Sequence, residues 1–197
     1  MTKLVICTVL AGMASGYFFM PELFINISGN ILVVGLCVLL IFVGIDIGYQ
    51  GTVVENFKKV GWRIVLIPIA IMIGTFAGSI VGSLFLPISM KESLAVGAGF
   101  GWYSLAPVVL AEYSAEISAI SFMHNVFREV IGIILIPIVA KYIGYIETTS
   151  LPGSAAMDVC LPIVEKSTNA DIAVYSFISG AALSFAVPIL VPFIIGL

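Results

Sequence analysis

Long apolar runs separated by short polar loops dominate this chain. They predict membrane-crossing helices at about residues 3–19, 31–49, 62–86, 94–114, 121–142 and 172–197, because about 20 helical residues cross a ~30 Å hydrocarbon core. A cleaved signal peptide is the alternative for the first run, although that run continues without a polar end region. We expect an all-α polytopic membrane protein, with residues 1–197 forming a single transmembrane domain of about six transmembrane segments.

Glycine and proline interrupt two of the apolar stretches, one over residues 94–114 and a shorter one over 149–164. Such a pair is typical of a transporter's binding site, since irregular backbone at membrane depth needs a protein or cavity environment. We therefore expect two discontinuous elements that meet near the bilayer midplane, the first adding the polar residues Trp102, Tyr103 and Ser104. Two ordinary proline-kinked helices, or external loops, are the alternative.

The run 121–142 contains four polar residues on adjoining stripes of a helix, namely His124, Asn125, Arg128 and Glu129. An ionised group at mid-membrane costs roughly 2.5–3.5 kcal/mol on insertion scales, so such groups face a partner helix or a wet cavity. Asp158 lies in the second interrupted stretch. Because carboxylates inside a membrane are usually functional, we expect a functional role for these groups. The alternative is a structural polar knot, in which Arg128 and Glu129 only pair inside the helix bundle.

Composition supports the membrane assignment and excludes several function classes. Charged residues make up 10 % of the chain, against about 25 % in soluble domains. The net charge of −3 gives no basic patch for nucleic acid. The three cysteines match no zinc spacing and His124 is the one histidine. We therefore expect neither an enzyme nor a cofactor or metal site.

Charge also orients the N-terminal half. Residues 50–63 contain Lys58, Lys59 and Arg63, so the positive-inside rule makes this loop cytoplasmic and the N-terminus cytoplasmic as well. Asp46 lies just before the loop, between two glycines, and is equally compatible with a helix interface and with a functional role. The orientation after residue 86 stays open, because residues 94–114 could cross the membrane or turn back.

Several motifs occur together in order, and in combination they resemble the LysO family of lysine exporters. They are Gly99-Phe-Gly-Trp-Tyr-Ser-Leu105, Arg128-Glu129 with Leu135-Ile-Pro137, Met157-Asp158-x-x-Leu161-Pro162, and Ser184-x-x-x-Pro188. The chain is similar to the C-terminal two-thirds of longer members. One departure is the sequence Gly153-Ser-Ala-Ala156, which lacks two hydroxyl groups of the family pattern beside Asp158 and leaves the substrate open.

The resemblance implies export of L-lysine and its analogues across the inner membrane, with Glu129 and Asp158 as the functional carboxylates. The candidate set for substrate and proton binding is Glu129, Asp158, Asp46, Arg128, Asn125, Trp102, Tyr103 and Ser104.

Elementary chemistry agrees with a cationic amino acid. Carboxylates suit its ammonium groups, and a desolvated carboxylate can exchange a proton for a cation, which predicts proton antiport. Besides lysine, protons and lipid, we expect a homo-oligomer or a short, separately encoded membrane subunit as a partner. A Na⁺ or K⁺/H⁺ antiporter and a non-transporting membrane subunit are the alternative functions.

Overall fold

The computed structural model describes residues 64–196 and seven isolated helical positions before them, which are Cys7, Ala11, Ala14, Ser15, Val38, Ile41 and Ile45. Asp46 and most of the predicted helices 3–19 and 31–49 lie outside the described residues. Residues 64–196 contain helices and no strand. The predicted all-α class is therefore confirmed.

Six α-helices and two 3₁₀ helices follow one another between residues 66 and 196. The α-helices are α1 (Leu66–Ser83), α2 (Met90–Gly97), α3 (Ala106–Ala111), α4 (Ala115–Tyr142), α5 (Leu161–Ser167) and α6 (Ala170–Ile195). The 3₁₀ helices, Ile146–Ser150 and Gly153–Met157, lie between α4 and α5. Within the described range, α1, α4 and α6 are long and apolar enough to cross a membrane. At 1.5 Å per residue they measure about 27, 42 and 39 Å.

Capping residues explain where the observed helices depart from the predicted bounds. The helix predicted at 121–142 begins at Ala115, because the Ser114 hydroxyl accepts a hydrogen bond from the Ile117 N–H, 3.4 Å away. Asn169 caps α6 in the same way through the Ile172 N–H at 3.0 Å. The described part of the predicted helix 62–86 is α1, which ends at Ser83.

The predicted helix 94–114 is instead two short helices, α2 and α3, joined by an irregular turn. We call residues 89–113 the first hairpin, since the Tyr113 hydroxyl donates to Glu92 Oε1, 3.2 Å away, and thereby joins its two ends. The lengths of α2 and α3 are about 12 and 9 Å, each less than half of a ~30 Å core. The segment therefore turns back.

Residues 146–167 form a second hairpin from the two 3₁₀ helices and α5. Its entrance and exit lie at the same end of the molecule, because Lys141, Glu147 and Ile172 line one surface cavity. These residues belong to the end of α4, the first 3₁₀ helix and the start of α6.

Each hairpin has its own apolar core, and the two cores lie at opposite ends of α4 and α6. The core of the first hairpin includes Ile117 near the start of α4 and Ile195 at the end of α6. The core of the second includes Ile136 in the later half of α4 and Ile172 at the start of α6. The antiparallel helices α4 and α6 thus frame two hairpins that point toward each other.

Candidate functional site

The tips of the two hairpins, residues 98–105 in the first and 152–158 in the second, touch through their main chains. The Ser154 N–H donates a hydrogen bond to the Phe100 carbonyl oxygen at 2.8 Å. The backbone is left-handed at Gly101 (φ 97°) and Gly153 (φ 67°), a conformation that glycine adopts without a steric cost. This contact confirms that the two interrupted segments meet, and their position near the bilayer midplane stays a prediction.

The second tip also packs closely against α6. A Cβ atom added to Gly180 would lie 2.5 Å from the Met157 nitrogen, so only glycine allows this approach. Four residues earlier on the same helix face, the Ser176 hydroxyl donates to the Ala156 carbonyl at 2.8 Å. The second tip is therefore held between the first hairpin and α6.

A small cavity lies where these elements converge, and we call it the carboxylate cavity. Its volume is about 80 Å³. The first tip, the second tip, α4 and α6 all contribute to its walls. The lining residues are Gly101, Trp102, Tyr103, Ser104, Glu129, Ser154, Ala155, Met157, Asp158, Val159 and Ser184.

Two carboxylates face this cavity from different elements. Glu129 comes from the middle of α4, and Asp158 follows the second 3₁₀ helix; both side chains are half-buried. Asp158 Oδ1 accepts a hydrogen bond from the Val159 N–H at 2.6 Å, which fixes the side chain. The two groups interact electrostatically. Like charges in a partly desolvated site repel, so a proton or a cation between them is favoured.

Asn125 lies one turn before Glu129 and reaches the first tip instead of the cavity. Its side chain is fully buried. Its Oδ1 atom accepts a hydrogen bond from the Gly101 N–H at 2.7 Å, and its Nδ2 atom donates to the Ser121 carbonyl at 2.8 Å. A buried amide with both ends satisfied holds the backbone of the first tip in place.

Arg128 is directed to the second hairpin and to α1. Its Nε atom donates to the Leu151 carbonyl at 3.2 Å, and Nη2 donates to the Ser150 carbonyl at 3.3 Å. Its Nη1 atom donates to the Thr75 hydroxyl at 3.3 Å. Within residues 64–196 no ion pair joins Arg128 to Glu129. The polar-knot alternative is therefore not what the side chains form.

The structure thus separates the predicted site residues into two groups. Those that line the carboxylate cavity are Glu129, Asp158, Trp102, Tyr103 and Ser104, whereas Asn125 and Arg128 contact the hairpin tips and Asp46 lies outside the described residues. Sequence reasoning missed the lining residues Ser154, Met157 and Ser184. Each had a signal in the sequence, since Met157 and Ser184 begin motifs quoted above and Ser154 lies in Gly153-Ser-Ala-Ala156.

Comparison with known proteins identifies the family. The family model described as lysine exporter LysO matches residues 6–195. The chain belongs to this family. The chain is accordingly a multi-pass membrane protein of a transporter family.

Two curated relatives illustrate the similarity. The lysine exporter LysO of Escherichia coli (strain K12) is 28 % identical over 159 residues, which is 80 % of this chain and 52 % of the relative. The putative lysine exporter of Haemophilus influenzae is 27 % identical over 189 residues, covering 94 % of this chain and 93 % of the relative. The chain thus spans about half the length of the first relative and nearly all of the second. No solved structure matches the fold.

Proposed function

We propose that this protein exports L-lysine, and related cationic amino acids, across the inner membrane by exchange for protons. The observation that carries the proposal is the convergence of Glu129 and Asp158 on one cavity at the junction of two interrupted hairpins. The printed names of the two relatives, an exporter and a putative exporter of lysine, support the same cargo.

The charges and polar groups of the cavity suit a cationic amino acid. Two carboxylates supply charge-assisted hydrogen bonds for an ammonium group, and these are roughly twice as strong as neutral ones. Tyr103, Ser104 and Ser184 add hydroxyl groups that can both donate and accept. This set favours a cation that also carries hydrogen-bonding groups over a bare alkali ion.

The small size of the cavity implies that a hairpin moves during transport. Pockets that enclose small-molecule ligands usually measure about 300–1,000 Å³, whereas this cavity measures about 80 Å³. Room for a whole amino acid therefore requires at least one tip to withdraw. Withdrawal of either tip breaks the hydrogen bond between Ser154 and Phe100.

Proton exchange follows from the pairing of the carboxylates. With both groups ionised, the cavity attracts either an ammonium group or a proton, and each relieves the same repulsion. Binding one therefore disfavours the other. A lysine that leaves on the outer side is replaced by protons, which are then released on the inner side as the next lysine binds.

The experiment that tests the proposal is efflux from proteoliposomes. Purified protein is reconstituted into liposomes loaded with radiolabelled L-lysine, and a pH gradient, acidic outside, is imposed. We expect the gradient to accelerate lysine efflux at least about tenfold and a proton ionophore to abolish this efflux. A lysine dipeptide loaded in place of lysine should not leave the liposomes. The matched variants are Asp158→Asn, which loses efflux, and Glu112→Gln, an exposed carboxylate outside the cavity, which keeps it.

Two outcomes would overturn the proposal. Lysine efflux no faster than that of protein-free liposomes would show that the protein does not transport lysine. Proton movement driven by Na⁺ or K⁺ without any amino acid would favour the antiporter of alkali ions instead.

A further inference from the structure

We infer that the two hairpins enter the membrane from opposite faces, the first from the exterior and the second from the cytoplasm. The carboxylate cavity is then separated from each aqueous side by a different hairpin. The inference concerns the path of the chain. Only its meaning as a pair of gates rests on the proposed transport function.

The ends of the first hairpin lie together with three helix ends. The hairpin follows the last residue of α1 after a short turn, and its exit leads directly into α4. The Tyr113–Glu92 hydrogen bond joins entrance and exit. The end of α6 lies there too, since a Cβ atom added to Gly196 would be 3.4 Å from Lys91 Nζ. All these groups therefore share one face.

The entrance and exit of the second hairpin lie at the other face. Helix α4, about 42 Å long, starts beside the first hairpin and crosses before the second hairpin begins. The first 3₁₀ helix then lies near the start of α1, because Glu147 and Ile67 line the same cavity. Helix α6 starts at this face and returns to the first, as Ile172 and Ile195 show by their positions in the two cores.

Positive charges identify the second face as cytoplasmic. Lys141 and Lys166 lie next to this face in the structure. Lys58, Lys59 and Arg63 precede α1, which starts at this face, in the sequence. At the first face, Lys91 is the one basic residue among residues 84–116 and 190–197. Because lysine and arginine near membrane segments stay in the cytoplasm, the first hairpin opens to the exterior. This orientation extends the sequence prediction for residues 50–63 to the whole described chain.

Exposed tyrosines mark both boundaries. Tyr142 and Tyr145 are 72 % and 48 % exposed at the second face, and Tyr113 is 44 % exposed at the first. Tyrosine is enriched where a membrane meets water, since its ring is apolar and its hydroxyl is polar. Their positions agree with hairpin entrances that lie at the two interfaces.

Because the hairpins enter from opposite faces, a different hairpin separates the carboxylate cavity from each side of the membrane. Tyr103 and Ser104 line the cavity from the first hairpin, and Asp158 lines it from the second. Withdrawal of the first tip opens the carboxylates to the exterior, whereas withdrawal of the second opens them to the cytoplasm. Inverted elements of this kind are a general basis for alternating access around a fixed site.

Cysteine labelling tests the path of the chain directly. Single cysteines are placed at exposed positions in a chain in which alanine replaces Cys7, Cys37 and Cys160. The variants are Lys91→Cys and Glu112→Cys at the two ends of the first hairpin, and Glu147→Cys and Lys166→Cys at the two ends of the second. A membrane-impermeant maleimide is added to intact cells, to inside-out vesicles and to detergent-solubilised protein.

We expect the first pair to label at least about tenfold more in intact cells, and the second pair at least about tenfold more in inside-out vesicles. If the two cysteines of one pair are labelled from opposite sides of the membrane, that segment crosses the membrane. If the first pair is labelled in inside-out vesicles and the second in intact cells, the orientation is reversed. Either result overturns the inference. A cysteine that is not labelled even in detergent is not exposed as the structure requires, and this result overturns the inference as well. Because labelling does not depend on the cargo, failed lysine efflux with the expected labelling pattern would count against the proposed function alone.

Discussion

Ser154 donates its main-chain N–H to the carbonyl oxygen of Phe100, 2.8 Å away, and this bond joins the tips of the two hairpins. The contact depends on backbone that only small residues allow. Each tip contains a left-handed glycine, Gly101 in the first and Gly153 in the second. The bond therefore links two tight turns whose separation would change the shape of the carboxylate cavity.

Gly153→Ala should separate the tips. The new Cβ atom would collide with the Phe100 carbonyl, and an alanine in the left-handed region costs about 1–2 kcal/mol in addition. We expect a lower melting temperature in detergent and at least about tenfold slower lysine efflux. The matched control is Gly78→Ala on α1, where an added Cβ atom meets nothing within 4 Å. Equal losses in both variants would show that the tip contact has no special role.

The sequence predicted the interrupted segments and their meeting because glycine and proline within apolar runs have few other uses at membrane depth. It could not predict that residues 89–113 turn back. The contact between Glu92 and Tyr113, which closes the hairpin, joins residues 21 positions apart and leaves no periodic signal. Spacing along a helix also could not separate Arg128 from Glu129, because adjacent side chains point about 100° apart and each finds its own partners.

Arg128→Lys should affect stability more than lysine affinity. The guanidinium group bonds to the carbonyls of Leu151 and Ser150 and to Thr75, and a lysine ammonium cannot reproduce this planar fork. The bonds to Leu151 and Thr75 are partly buried, and a buried polar group left without a partner costs about 1–3 kcal/mol, which is the upper bound here. We expect a lower melting temperature for Arg128→Lys, and a larger drop for Arg128→Ala.

The transport kinetics of these variants separate positioning from binding. If Arg128 positions the second hairpin, the maximal efflux rate falls while the half-saturating lysine concentration changes less than about threefold. Lys141→Ala, at the surface end of α4, is the control for lost charge. A large rise in half-saturating concentration with unchanged stability would instead put Arg128 in contact with the substrate.

The entrance of the first hairpin should loosen in acid. The Ser89 hydroxyl and main-chain N–H donate to Glu92 Oε2 at 2.6 and 2.7 Å, and these bonds lower the pKa of the Glu92 carboxyl below its ordinary value. A depressed pKa stabilises the folded state above the ordinary carboxyl pKa of about 4.3 and loses that contribution as the pH falls below it. The exposed position of Glu92 keeps the effect small.

Glu92→Gln tests this dependence on pH. The melting temperature of the wild type in detergent should fall between pH 6 and pH 3.5. The variant should melt at a lower temperature than the wild type at pH 6 and should show a smaller decrease over the same pH range. Glu116→Gln, in the first turn of α4, is the control for a carboxylate at a helix start. Parallel curves for wild type and Glu92→Gln would show that the carboxylate does not join the hairpin ends.

The two cavity carboxylates should have different roles in exchange, because they come from different elements. Glu129 belongs to α4, one turn after Asn125, which holds the first tip, whereas Asp158 belongs to the second hairpin. Glu129→Gln keeps the shape of the side chain and removes its proton exchange. We expect it to lose net efflux driven by a pH gradient while retaining slow lysine-for-lysine exchange that no longer varies with pH. Asp158→Asn should lose both, because the moving wall can then no longer hold the ammonium group.

The measurement is efflux and counterflow from lysine-loaded proteoliposomes between pH 5.5 and 8.5. Removing a charge eases membrane insertion, so equal amounts of reconstituted protein are expected and serve as the internal check. Arg128→Ala is the third variant. Since Arg128 bonds to the second hairpin and not to Glu129, its pH profile should be lower than that of the wild type but not displaced. A displaced profile would mean that Arg128 reaches Glu129 during transport, and pH-dependent net efflux by Glu129→Gln would assign proton exchange to Asp158 alone.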